Sequence, residues 1–277
     1  MLHLKSIVVR LKVAVVLAVM VLVLVPVGTV SALTQPIGKA EVYEAQGIMN
    51  KFSIPNGPQD GLNGPNTGQG LCIFRAITNM KPSRANLDLA TLTKLREYNA
   101  KYADFHVPVP AIDNGQTKSY LVAQQTCQAL IYVYNQQVWV TFPMSSGRTG
   151  LETPNGVYTV GRTVYGWTCS TEYPETCTTQ TGGKYATYKD ANGKVRNYGN
   201  MYNKREFKAG GFYIHGSNTV PTNPGSAGCI RVSTAHADWV SQNVPAGTKL
   251  VVTGRYNEAD RPMRPAATTL APRPQTK

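Results

Sequence analysis

Acidic residues are scarce in this chain. Only 15 Asp and Glu stand against 28 Lys and Arg in 277 residues, giving a formal charge of +13. Such a balance draws a protein towards anionic polymers. It points away from nucleic acid here, because no run of five basic residues and no nucleic-acid-binding motif accompanies it. Metal-site spacing is missing too. There is no Cys-x-x-Cys, and His3, His106, His215 and His236 are scattered without ligand spacing, so no metal and no cofactor is expected. The Asp60, Asn63, Asn66 spacing lacks the carboxylate density and the terminal Glu of a calcium loop. Long apolar runs are also missing. The longest, Val13 to Val27, is fifteen residues broken only by Pro26, short for a membrane span.

That run follows Lys5, Arg10 and Lys12 and precedes the small-residue sequence Val30-Ser31-Ala32. A basic start, an apolar stretch and a small-residue cleavage site together read as a secretory signal peptide, residues 1–32. An uncleaved anchor is the alternative. No cysteine follows Ala32 to carry a lipid, so no stable membrane anchor is expected after cleavage. Without Lys5, Arg10 and Lys12 the remaining chain carries +10, since no acid precedes position 33.

Cysteines number five, an odd count for an exported protein in which disulfides are permitted. If Cys229 is set apart, Cys72, Cys127, Cys169 and Cys177 allow three pairings. A local Cys169–Cys177 bridge around Ser170 to Thr176 is the simplest. It would leave Cys72 and Cys127 to tie the first part of the chain to the second.

Val42, Ala45, Ile48, Met49 and Phe52 recur at helical spacing. A turn-rich stretch, Pro55 to Asn66, follows. Thr67 is a candidate cap for a helix carrying Leu71, Phe74 and Ile77. Asp88 caps a third, with Leu89, Leu92, Leu95 and Tyr98 on one face. Residues 40–100 therefore read as a small three-helix bundle. Residues 101–125, with Pro108, Pro110 and Asn114-Gly115, read as a linker. Alternation then takes over, and Leu130–Tyr134 and Val138–Phe142 make a hairpin about Asn135 to Gln137. Residues 161–210 have no clear core period, and their tyrosines (Tyr165, Tyr173, Tyr185, Tyr188, Tyr198 and Tyr202) are candidates for a groove wall. Ser233 or Thr234 caps a helix through Trp239, which places His236 on the surface. A last strand runs from Thr248 to Thr253, and 255–277 reads as a disordered tail.

The chemistry concentrates in Tyr213-Ile-His-Gly-Ser217 and Ser226-Ala-Gly-Cys-Ile-Arg231. A reactive thiol needs a basic or cationic neighbour. His215 is the natural partner of Cys229 if two adjacent strand ends carry them. Arg231 alternates with Cys229 across Ile230, so on a strand both face one way and Arg231 is placed to hold a substrate carboxylate. The backbone N–H groups of Gly228 and Cys229 are candidate oxyanion donors. Ser226 shapes the turn and is a candidate substrate contact.

This constellation resembles the L,D-transpeptidase family with its YkuD-like catalytic domain. The family signature is Ile-His-Gly, a loop, then Ser-x-Gly-Cys-Ile/Val-Arg/Asn. Further matches, in the family's order, are Gln128 to Val140, Ser146-Gly-Arg148, Thr153-Pro-Asn-Gly-Val-Tyr158 and Val232 to Trp239. The likeness covers residues 126–254. Many members carry His or Arg where this chain has Ala227, and the loop between His215 and Cys229 is shorter than in some. Asp60-Gly61-x-x-Gly64-x-x-Thr67 is similar to the peptidoglycan-binding repeat domain. The resemblance implies a mainly β, mixed β-sandwich catalytic domain with one or two helices behind the three-helix bundle. It implies that the Gly216 carbonyl orients His215, and that a Cys229 thioester forms on peptidoglycan stem peptides in the cell wall or periplasmic space. An amine acceptor would make a cross-link, whereas water would make the chain an L,D-carboxypeptidase. A non-catalytic wall-binding protein is the remaining alternative.

Overall fold

A computed structural model describes residues 37–102, 108–109, 117–169, 187–189, 192–193, 195–197 and 200–260. All of them fall in one compact unit, Ile37–Lys277. The expected signal peptide, His106, Cys177, Tyr173, Tyr185, Tyr198 and residues 261–277 lie outside the described residues. No described helix is long and apolar enough to cross a membrane.

Three helices open the unit: α1 (Lys39–Lys51), α2 (Pro65–Ile77) and α3 (Leu89–Lys101). Asp88 caps α3, its carboxylate accepting from the Thr91 N–H at 2.7 Å. The same carboxylate pairs with the buried Arg75 of α2 at 2.9 Å. The expected face of α3 is buried at Leu92 and Leu95, whereas Leu89 in its first turn is 48% exposed. Helix α2 starts earlier than expected. Gly64 is its N-cap and Pro65 occupies the first turn, where the fixed φ of proline suits a helix start. Thr67 lies inside the helix and donates instead to the Leu62 carbonyl at 2.9 Å. Buried Gln46 of α1 gathers the rest of that loop. Its amide donates to Asp60 and Thr67 at 3.0 Å each and accepts the Gly61 N–H at 2.7 Å. Residues of the Asp60–Thr67 motif thus serve to close the loop between two helices.

The β part forms two sheets. One has the order β3 (Gln137–Pro143), β2 (Ala129–Tyr134), β1 (Ser119–Gln124), β11 (Lys249–Thr253), β4 (Gly156–Thr159). The other has the order β10 (Ile230–Ser233), β9 (Phe212–Ser217), β8 (Met201–Lys208), β5 (Thr163–Thr168). A short pair, β6 (Thr187–Lys189) and β7 (Val195–Asn197), stands apart, and helix α4 (Thr234–Asn243) follows β10 without a break. Mainly β with a helical bundle in front is the expected class. The stretch read as a linker ends in a strand, however. β1 is central, pairing parallel with β11 from Tyr120↔Lys249 and antiparallel with β2.

Alternation explains the layering. Ala129, Ile131 and Val133 of β2 and Tyr120 of β1 join the apolar cluster of the helices. Leu130 and Tyr132 of β2 and Leu121 and Ala123 of β1 join the cluster between the two sheets. The five-stranded sheet is therefore a middle layer covered on both faces. A disulfide joins Cys72 of α2 to Cys127 in the β1–β2 turn. The expected Cys169–Cys177 bridge involves a residue outside the described set.

Candidate active site

Strands β9 and β10 lie side by side and parallel, in the register Ile230↔Ile214 and Arg231↔His215. Ile214, Ile230 and Val232 point into the inter-sheet core. The alternate residues, Tyr213, His215, Cys229 and Arg231, consequently share the opposite side. The sequence motifs are brought together by this one pairing. His215 is 4% exposed and Cys229 half-buried, with the cysteine a free thiol.

His215 Nδ1 lies 2.9 Å from the Gly216 carbonyl. A carbonyl can only accept, so Nδ1 carries the proton and Nε2 keeps its lone pair. Burial is the largest influence on the ring and lowers its pKa to about 4, and the positive charges of Arg231 and Lys204 act in the same direction against the Gly216 bond. At neutral pH the imidazole is uncharged and able to take a proton. The linkage has a definite sign. Unfolded His215 binds a proton below its ordinary value of 6.5, and folded His215 does not until about 4. Stability is therefore fully present above pH 6.5 and falls as the pH drops towards 4, by an order of 3 kcal/mol from this residue. Chemical denaturation from pH 7 to 4.5 should show the wild-type chain losing more stability than His215→Gln. Parallel losses in the two proteins would contradict a buried neutral imidazole.

The cysteine stands on a braced loop. Ser226 Oγ donates to the Cys229 carbonyl at 2.6 Å and accepts the Gly228 N–H at 3.2 Å. Ser226 is fully buried, and its hydroxyl shapes the turn. The Gly228 N–H, an expected oxyanion donor, is directed at Ser226 Oγ in this structure. Gly228 has φ +106, and a Cβ there would meet the Phe212 ring at 2.7 Å, so only glycine fits. Its carbonyl accepts from Thr153 Oγ1 at 2.9 Å, and the Thr153 hydroxyl in turn accepts the Gly147 N–H at 2.9 Å. Ser145 and Arg231 exchange two backbone bonds of 2.9 Å, which cover the outer edge of β10. Cys229 Sγ lies 3.5 Å from the Gly211 carbonyl.

Sequence reasoning gave no role to Ser145, Gly147, Thr153 or Lys204. For Gly147 and Thr153 the signal was present, in Ser146-Gly147 and Thr153-Pro154. Lys204 sits in β8 with nothing in its neighbourhood to mark it. His236 is not a surface residue as expected. It stacks on Phe142 at 4.5 Å, and burial lowers its pKa. A cavity of about 430 Å³ lies behind the braced loop, lined by residues including Gly147, Thr153, Pro224 and Arg255. Neither Cys229 nor His215 lines it, so the reactive face and this cavity are distinct.

The family described as the L,D-transpeptidase catalytic domain, YkuD, matches residues 118–252. Residues 118–252 belong to the YkuD L,D-transpeptidase family. The match begins where β1 begins and ends in β11. Several solved structures resemble this chain. An L,D-transpeptidase from Xylanimonas cellulosilytica is 22% identical over 77% of this chain and 93% of its own, with TM-score 0.48. One from Stackebrandtia nassauensis is 13% identical over 79% and 93%, with TM-score 0.39. L,D-transpeptidase 3 from Mycobacterium tuberculosis, solved with a faropenem-derived adduct, is 17% identical over 50% and 60%, with TM-score 0.38. The chain thus spans less than two thirds of that mycobacterial enzyme. No curated protein matches. The YkuD domain of this chain presents a free thiol and a neutral, oriented imidazole on one face of two parallel strands.

Proposed function

We propose that this chain is a secreted L,D-transpeptidase that cross-links peptidoglycan stem peptides through a Cys229 thioester. The observation that carries the reading is the tied, uncharged His215 on the strand beside the free Cys229. His215 Nε2 takes the thiol proton as sulfur attacks the carbonyl of the donor stem at the L-centre of its diamino acid. Negative charge gathers on the carbonyl oxygen, and the backbone N–H of Cys229 is the donor we assign to it. The imidazolium then returns its proton to the departing amine of the terminal D-residue, and the thioester remains. An acceptor amine from a neighbouring stem attacks the thioester, gives its proton to His215 and expels the thiol. Arg231, on the same side of the strand pair, is the residue we assign to the substrate carboxylate.

Purified protein incubated with disaccharide tetrapeptide muropeptides, followed by mass spectrometry, tests this. A cross-linked dimer formed with loss of a terminal D-residue is expected. Release of the D-residue with tripeptide as the sole product would replace the amine by water and make the chain an L,D-carboxypeptidase. No change in the muropeptides would leave neither activity standing.

A further inference from the structure

Two buried struts run from the helices into the loop that carries Cys229. The first starts at Gln69 of α2, whose amide donates to the Gln128 carbonyl at 2.6 Å. The Gln128 side chain accepts the Ser146 N–H at 2.8 Å and donates to Ser146 Oγ at 2.9 Å. The Ser146 carbonyl accepts the N–H groups of Gly225 and Ser226 at 2.9 and 3.0 Å. From Ser226 the path reaches Cys229 through the hydroxyl bond already described. Gln69, Gln128, Ser146 and Ser226 are each at most 3% exposed. The second strut is Arg84, from the connection between α2 and α3. Its guanidinium, 1% exposed, donates to the Thr222 carbonyl and to the Pro65 carbonyl, and lies 5.3 Å from the Tyr256 ring centre.

We infer that the helical segment is a working part of the active site, with Gln69, Gln128 and Arg84 as positioning residues for the nucleophile loop. The inference rests on the reading of Cys229 as nucleophile. Residues 222 to 229 lie in the connection between β9, which ends at Ser217, and β10, which begins at Ile230, and carry no helix or strand of their own. Their path is set by whatever holds their carbonyls and N–H groups. A buried amide that loses its partner pulls the chain towards a new one, because an orphaned polar group is costly in a dry interior. Gln128 is itself held firmly. It has φ +53, unusual for a residue with a side chain, and follows the Cys127 that is bonded to α2. Both struts therefore begin in the helical segment, Gln69 in α2 and Arg84 in the connection after it, and end on the same eight residues.

The test uses the full chain and two reagents for Cys229. Iodoacetamide reports the thiol with little demand on geometry. Imipenem demands an attack line and an oxyanion donor. Gln69→Met keeps the side-chain volume and deletes the first donor, and Arg84→Met deletes the second. Each should slow imipenem acylation about tenfold, because small misplacements of a nucleophile cost rate steeply. Alkylation should stay within about twofold of wild type, since it makes little demand on the line of attack and needs no oxyanion donor. Arg84→Lys should recover part of the acylation rate, and it decides for that strut if Arg84→Met does not fold. Thermal midpoints are recorded alongside, well above the assay temperature. Wild-type acylation rates in folded variants would overturn the inference, as would acylation and alkylation falling together. A wild-type chain that takes no carbapenem at Cys229 would instead remove the nucleophile assignment itself.

Discussion

Replacing Cys229 by alanine is expected to abolish the covalent imipenem adduct and all muropeptide cross-linking. The adduct would appear on intact wild-type protein as the mass of the intact drug, since opening the lactam ring loses no atoms. Among the described residues Cys229 is the one cysteine outside a disulfide, its strand lies beside that of His215, and alanine has no nucleophile at all. Cys229→Ser should fail as well, because a hydroxyl needs far more help from a base than a thiol does. His215→Ala should slow acylation by roughly 10²–10⁴, the usual worth of a positioned base. The double variant should be no worse than Cys229→Ala alone, since a coupled pair is disabled by losing either member. An adduct that persists without Cys229 would place the nucleophile elsewhere and end the proposed mechanism.

The second large effect concerns stability. The Cys72–Cys127 disulfide closes a sequence separation of 55 residues. In the chain-entropy picture a closed loop of that length stabilises by about 4 kcal/mol, and measured values usually run about 2–4 kcal/mol. Changing both cysteines to serine should lower the melting midpoint by roughly 10 °C, using 2–4 °C per kcal/mol for a chain of this size. The bridge also seals the contact between the helices and the middle sheet, where Tyr120, Ile131 and Val138 are buried against α1 and α2. Scanning calorimetry of the double variant gives the answer. A midpoint within a degree or two of wild type would mean that apolar packing alone holds the helices in place.

How much of this could be read from residues alone depends on how local each feature is. The hairpin from Leu130 to Phe142 was legible because its apolar residues are contiguous and its turn residues lie between them. It became β2, which starts one residue earlier, and β3, which is one residue longer at each end. The placement of His215 and Cys229 was legible because each closes or opens a short apolar run, and both runs proved to be adjacent strands. β1 was not. Its six residues follow a stretch of turn formers, and the partner that makes it a central strand is β11, far along the chain. The start of α2 was misjudged because Thr67 looked like a cap while Pro65 was already an allowed first residue. His236 was misplaced because nothing near it in sequence announces Phe142, which covers it from β3. Pairing of Cys72 with Cys127 was one of three options until the helix and the turn were seen together. The need for a glycine at 228 was legible as a tight turn, but the Phe212 ring that leaves no room for a Cβ lies on another strand.

The parallel pairing of β1 with β11 has a consequence for how the molecule comes into being. These strands sit next to each other in the middle of the larger sheet, yet Tyr120 is matched to Lys249 across almost half of the chain. Until β11 exists, β1 presents a bare edge of unpaired N–H and C=O groups, and β4 has no neighbour in its sheet. The cysteine at position 229 is therefore synthesised and threaded before the barrier to closing the sheet can be crossed, since such distant contacts form late. Everything from Met201 to Ser233, the whole reactive face, waits in an incomplete framework for five residues near the end. Among the described strands β11 is the last in chain order, so the larger sheet closes only once Lys249–Thr253 has been made.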